Sequence, residues 1–221
     1  MPAELITLLA NATLQTLYMV AAAAVLGTLL GLPLGVFLAT SAAGDLFAAP
    51  WLNRLLGTIV NATRSTPFII LVVAIIPFTR AITGTSIGTT AAIVPLTVAA
   101  TPFIARIVEA AIREVDQGLI EASRAMGATP LQIVLKVLLP EARPGILLGL
   151  TLTVVSLLGN SAMVGAVGGG GLGDLGIRFG YQRFMPEVMA AVVIVLIVLV
   201  QAIQTLGERL ASRANKRIRR V

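Results

Sequence analysis

The chain has 221 residues, 57% of them hydrophobic and 12% charged, with a mean hydropathy of +0.97, far more apolar surface than one soluble core of this size would use, so it reads as an integral membrane protein. Cysteine and histidine are both absent, which excludes disulfides, thiolate nucleophiles and the commonest metal ligand and general base; no metal or other cofactor is expected. The formal charge of +6 does not point to nucleic acid, because the basic residues crowd the C-terminal tail at Arg209, Arg213, Lys216, Arg217, Arg219 and Arg220, where they act as a topology signal.

In chain order, residues 1–13 hold Glu4 and no Lys or Arg, so they lack the basic start of a cleaved signal peptide and the first span is expected to be retained. That span is predicted over 14–40. Gly27, Gly31 and Gly35 form two overlapping GxxxG spacings on one face, the pattern that lets helices approach closely in lipid, and Pro33 among them predicts a kink. Asp45, Pro50, Trp51 and Arg54 mark a first loop. The next apolar run, 65–78, is short for a span, with Arg64 snorkelling at its start and helix continuing through 55–62. Gly84 to Gly88, GTSIG, is a tight second loop.

The third span, predicted over 89–112, contains Pro95 and Pro102, so a broken helix lining a cavity is expected there. The fourth is predicted over 145–167 and the fifth over 188–206. Five spans put the termini on opposite sides. With the tail inside, thirteen Lys/Arg (Arg54, Arg64, Arg106, Arg113, Arg124, Lys136, Arg143 and the six of the tail) lie inside against three outside (Arg80, Arg178, Arg183), so the N-terminus is expected outside and the C-terminus in the cytoplasm.

Between the third and fourth spans lies EASRAMGATPLQIVLKVLLP, residues 121–140, which reads as two short helices. Gly127 sits where a C′ glycine closes the first; Thr129, Pro130 and Gln132 supply the N-cap, N1 proline and N3 partner of the second, and Pro140 is expected to stop it. Leu131, Val134, Leu135 and Leu138 fall on one face that predicts burial. At about 1.5 Å per residue the stretch is far too short to cross roughly 30 Å of hydrocarbon. Its charged flanks keep it in water beside the membrane, as a knob another protein could receive or as an elbow packed on its own bundle.

Several other features have weaker readings. Gly168, Gly170 and Gly173 fit GxGxxG by count, but a membrane helix precedes them instead of a strand, so a dinucleotide site is rejected; the run is expected to supply flexibility that lets the chain bend sharply at the outer end of the fourth span and to leave Asp174 free for an external partner, with plain loop chemistry as the alternative. Ser156, Asn160, Ser161 and Met163 in the fourth span are candidates for lining or gating a pathway, against interhelical hydrogen bonding and packing as the alternative. Arg106, Glu109 and Glu114 are expected to form weak interfacial ion pairs. The sequons at Asn11 and Asn61 lie too near spans to matter. No charge is expected in the middle of any span, which leaves a neutral or zwitterionic solute compatible. There is no GxxxxGK[ST] loop, so this chain is not expected to hydrolyse ATP and is not an enzyme.

Glu121-Ala122, then Gly127, then Val137-Leu138-Leu139-Pro140 resembles the EAA signature of permease subunits of bacterial ABC importers, with Ser123 where the pattern has a second alanine and Val137 where it has isoleucine. RSTPFIIL (64–71), GTSIGTTAAIVPLTVAATPFIAR (84–106), GLIEASRAMGATP (118–130) and SAMVGAVGGGGLG (161–173) are similar, more specifically, to the permeases of methionine-importing ABC transporters. The resemblance implies the type I importer permease fold: an all-α chain of about five transmembrane helices with a cytoplasmic coupling elbow, a transmembrane domain over 13–207 and a basic cytoplasmic tail over 208–221, in the bacterial plasma membrane. It implies a second copy of the chain, two cytoplasmic ATPase subunits and an external methionine-binding protein or lipoprotein as partners, besides membrane lipid. It also implies that Glu121, Ala122, Ser123, Gly127, Val137, Leu139 and Pro140 couple the chain to the ATPase. Import of another amino acid or small zwitterion, or a self-sufficient carrier, are the alternatives; a carrier should show an intramembrane charge or repeated spans.

Overall fold

The computed structural model describes residues 3–214, all helix and connecting turns. The tail positions Lys216, Arg217, Arg219 and Arg220 lie outside the described residues. Helix α1 runs Ala3–Thr40, starting well before the predicted Leu14. Thr13, Thr28 and Thr40 donate their hydroxyls to carbonyls one turn back, at 2.7 to 2.8 Å, which lets polar side chains sit in a long apolar helix. The helix runs without interruption through Pro33.

After a loop, α2 covers Pro50–Ser65, α3 Phe68–Ala74 and α4 Ile76–Thr83. The predicted continuous helix through 55–78 is wrong: α2 and α3 are bent by 106° at Thr66-Pro67. The residue before a proline is driven out of the helical region and proline has no N–H to give, and Thr66 accordingly adopts φ −79°, ψ 126°. Gly84 at φ +75° ends α4.

Helix α5, Thr89–Arg113, matches the third predicted span but is unbroken through Pro95 and Pro102. It is the most buried of the span helices and carries Leu96, Ala100, Ile104, Ala105 and Val108 into the core against Met19, Val20 and Ala23 of α1. The glycine stripe of α1 faces it. A Cβ on Gly27, Gly31 or Gly35 would come within 2.8 Å of Ala100 Cβ, 2.7 Å of the Thr101 carbonyl and 2.5 Å of the Ala105 carbonyl respectively, so close helix packing is the role of these glycines.

Helix α6 covers Gln117–Ala125 and α7 Pro130–Ile133; a π-helical turn, Val134–Leu138, leads into α8, Leu139–Val164. Pro140 therefore does not stop the second elbow helix. Leu139 N–H bonds the Val134 carbonyl five residues back, and this widened turn takes up the ring that would collide with a carbonyl in a regular α-helix. Residues 130–164 thus form one continuous helical run that joins the elbow to the fourth span.

At the far end of that helix the chain reverses at Gly168, Gly170 and Gly171, with φ of +91°, +78° and +75°. A short helix α9, Gly171–Leu175, and a π segment, Gly176–Tyr181, fold back before α10, Pro186–Ala214, which extends beyond the predicted Leu206. The glycine run makes the sharp bend expected of it, and the bend is held by hydrogen bonds. Gly171 N–H donates to Gln15 Oε1 at 2.9 Å, Leu172 N–H to Thr16 Oγ1 at 2.8 Å and Gly88 N–H to the Gly168 carbonyl at 2.9 Å, so α1 caps α9 and the second loop holds the reversal. Asp174 is paired with Arg178 and its side chain is only 14% exposed, so the expectation of a free Asp174 is overturned.

Candidate functional site: a coupling elbow and a mid-span cavity

The elbow begins earlier than its sequence signature. Asp116 caps α6 by accepting from Gly118 N–H at 2.7 Å, a signal five residues upstream of Glu121 that the motif does not include. Its end is a Schellman closure: Gly127 N–H bonds the Arg124 carbonyl at 2.9 Å and Ala128 N–H the Ser123 carbonyl at 3.0 Å, with Gly127 at φ +79°. Thr129 and Gln132 then form the complete reciprocal capping box, and Pro130 takes the first turn.

The buried face of the second helix differs from the predicted one. Ile133, Val134 and Leu138 enter the core, whereas Leu131 and Leu135 are more than half exposed, because the helix turns its 133/134/138 side inward as it runs into α8. With Met126, 81% exposed, these leucines form an apolar knob beside exposed Glu121, Ala122, Gly127 and Pro140. Ser123 is buried, its hydroxyl donated to the Leu119 carbonyl, and Val137 and Leu139 are half-buried against the core. Glu121 and Arg124 also line a polar groove of about 280 Å³ between the elbow and the 41–49 loop, with Asp45, Arg113 and Gln117.

Above the elbow, the C-terminal end of α5 carries a charge cluster. Glu109, 8% exposed, pairs with Arg106 and, at 3.0 Å, with Arg113; Arg106 also donates to the Gly57 carbonyl of α2 at 2.9 Å, and Arg113 to the Leu38 carbonyl of α1 at 3.4 Å. Glu109 is the buried member of a tie between three helices, so the expected Arg106–Glu109 pair forms, while Glu114 is exposed and outside it. Glu109→Gln leaves two guanidiniums without their counter-charge. Since Arg113 is half exposed, the expected loss is about 1–3 kcal/mol, measured as a lower unfolding midpoint of the detergent-purified chain; an unchanged midpoint would show the tie to be idle.

Midway along the spans, a cavity of about 270 Å³ opens between the α2–α3 bend, α5 and α8. Ser156 and Asn160 line it together with Thr63, Thr66, Thr153, Phe103 and Arg64. Ser161 does not: it is 2% exposed and donates to the Leu158 carbonyl at 2.7 Å. Met163 is 48% exposed on the outer surface of α8 and lies outside the cavity. Arg64, exposed in the last turn of α2, sits 5.6 Å from the centroid of the Phe103 ring. The bend at Pro67 is what brings it in, and the proline was the available signal.

Among the described residues four helices, or five counting the bent α2–α3 pair as one, are long and apolar enough to cross a membrane, and an amphipathic elbow is built rigidly into one of them. Fold and site together define a polytopic helical transport subunit. The chain belongs to the family of binding-protein-dependent transport system inner membrane components, whose model matches residues 31–220. It is 57% identical to the probable D-methionine transport system permease protein MetI of Vibrio cholerae over 95% of this chain and 93% of that one. It is 56% identical to the D-methionine transport system permease protein MetI of Escherichia coli K12 over 72% of this chain and 73% of that one. A chain of the inward-facing MetNI methionine ABC transporter superposes with a TM-score of 0.96 at 51% identity, covering 98% of this chain and all of the other. An amino acid ABC transporter at 22% identity shares the fold, with a TM-score of 0.79. These matches bear out the resemblance read from the motifs and the all-α importer fold it implied.

Proposed function

We propose that the chain is the permease of an ATP-driven importer of methionine, in both L and D forms, that works as a pair of copies with two cytoplasmic ATPase subunits and an external methionine-binding protein or lipoprotein. The observation that carries the proposal is the continuity of residues 130–164: the exposed Leu131 and Leu135 of the knob and the cavity-lining Ser156 and Asn160 belong to one helical run. An ATPase gripping α6 and the start of α7 therefore moves the cavity wall as a rigid body. Glu121, Ala122, Ser123, Gly127, Val137, Leu139 and Pro140 form and brace the gripped surface, and Ser156 and Asn160 face the path. The relatives named for methionine transport support the substrate.

The whole chain is one membrane domain ending in a basic tail. The excess of Lys and Arg on one side supports an outside N-terminus and a cytoplasmic C-terminus, which places the elbow where ATP is available. ATP hydrolysis belongs to the partner subunits. A bacterial methionine auxotroph lacking its own methionine importer and supplied with this chain, its ATPase and its binding protein should regain growth on low D-methionine. Failure to grow with all three proteins in the cell would remove methionine from the proposal.

A further inference from the structure

The mid-span cavity holds a cation with no anion beside it. Arg64 is in none of the ion pairs among the described residues, and no Asp or Glu lines the cavity. Arg64 is exposed, so its guanidinium stays hydrated and open to an anion. Its guanidinium is held over the Phe103 ring, which orients the planar fork without consuming its N–H donors. Across the cavity Ser156 and Asn160 present a hydroxyl and an amide, and Phe68 and Leu71 supply an apolar wall.

We propose that this cavity is a transient solute site in which Arg64 takes the α-carboxylate of the transported amino acid. A planar guanidinium matches a carboxylate with two parallel hydrogen bonds. Asn160 Oδ1 and Ser156 Oγ accept from the solute ammonium, and the thioether packs on the phenylalanine wall, a favourable sulfur–aromatic contact. The permease then selects for a free carboxylate in addition to whatever the external protein selects. This rests on the methionine-import reading, and the test separates the two.

The chain has no cysteine, so Thr66→Cys puts a single thiol of this chain on the cavity wall. The complex with its ATPase, without the external binding protein, is treated with a small neutral alkylating reagent, and labelling of this chain is followed with methionine or methioninamide present. Methionine is expected to slow labelling, and the amide to need roughly tenfold to a hundredfold higher concentration for equal protection. Adding Arg64→Gln should erase that difference, while Arg64→Lys, which keeps the charge without the fork, should retain part of it and serves if the glutamine variant does not fold. Equal protection by the two solutes, or discrimination that survives Arg64→Gln, overturns the proposal. Absence of protection in a complex that still takes up methionine with ATP overturns it too and leaves the import reading standing. Loss of methionine uptake from the complete, unsubstituted system instead counts against the import reading.

Discussion

Gly127→Pro is expected to abolish ATP-driven uptake while the chain still reaches the membrane at its normal level. Gly127 sits at φ +79° and its N–H bonds the Arg124 carbonyl. Proline fixes φ near −65° and has no N–H, so it can neither adopt the turn nor close it. The Schellman closure would open, and α6 would lose its fixed angle to the helix that carries the cavity wall. The damage should stay local, because Gly127 is exposed and nothing stands within 4 Å of where its side chain would be. A graded series checks the cause: Gly127→Asn, which tolerates the left-handed region, should keep most uptake, and Gly127→Val, which pays roughly 1–2 kcal/mol there, should lose much of it. Uptake counted against surface-exposed chain reads the result; equal losses in all three variants would show that backbone conformation is not the cause.

Gly35→Leu is expected to prevent folding outright. The nearest atoms to a Cβ at this position are the Ala105 carbonyl at 2.5 Å and Val108 Cβ at 2.6 Å, and a backbone atom cannot swing aside as a flexible side chain can. The distances at Gly27, Gly31 and Gly35 shorten in that order, so α1 and α5 converge towards their C-terminal ends and the room for a side chain is least at Gly35. Gly35→Ala should cost about 1–3 kcal/mol, the usual range for overpacking, and leucine must force the two helices apart. The check is the amount of monodisperse chain recovered in mild detergent and its unfolding midpoint. Normal recovery of the leucine variant would mean that α1 does not pack on α5 as described.

The features that proved legible in the sequence were those encoded by neighbouring residues. Gly127, Thr129, Pro130 and Gln132 announce a helix end and a helix start within six positions, and the structure makes each of the corresponding bonds. The glycine spacing of α1 names a packing face without naming the partner. Hydropathy found α5 almost to the residue, but it carries no information about the hydrogen-bond pattern inside a helix, so the π turn at Val134–Leu138 was invisible and Pro140 read as a stop. The reversed exposure of Leu131 and Leu135 follows from the same turn-in of the helix. Gln15 and Thr16 bind backbone 156 positions away, a pairing that no local pattern encodes. The contact of Arg64 with the Phe103 ring depends on a 106° bend, although Pro67 marked where that bend would fall.

The most direct test of the account is uptake of labelled methionine into vesicles that contain this chain and its ATPase, with the binding protein outside and ATP inside. The account predicts uptake that requires ATP and the binding protein, is competed by methionine-like solutes alone, and disappears with Gly127→Pro. Uptake that proceeds without the ATPase, or that Gly127→Pro leaves intact, would contradict it.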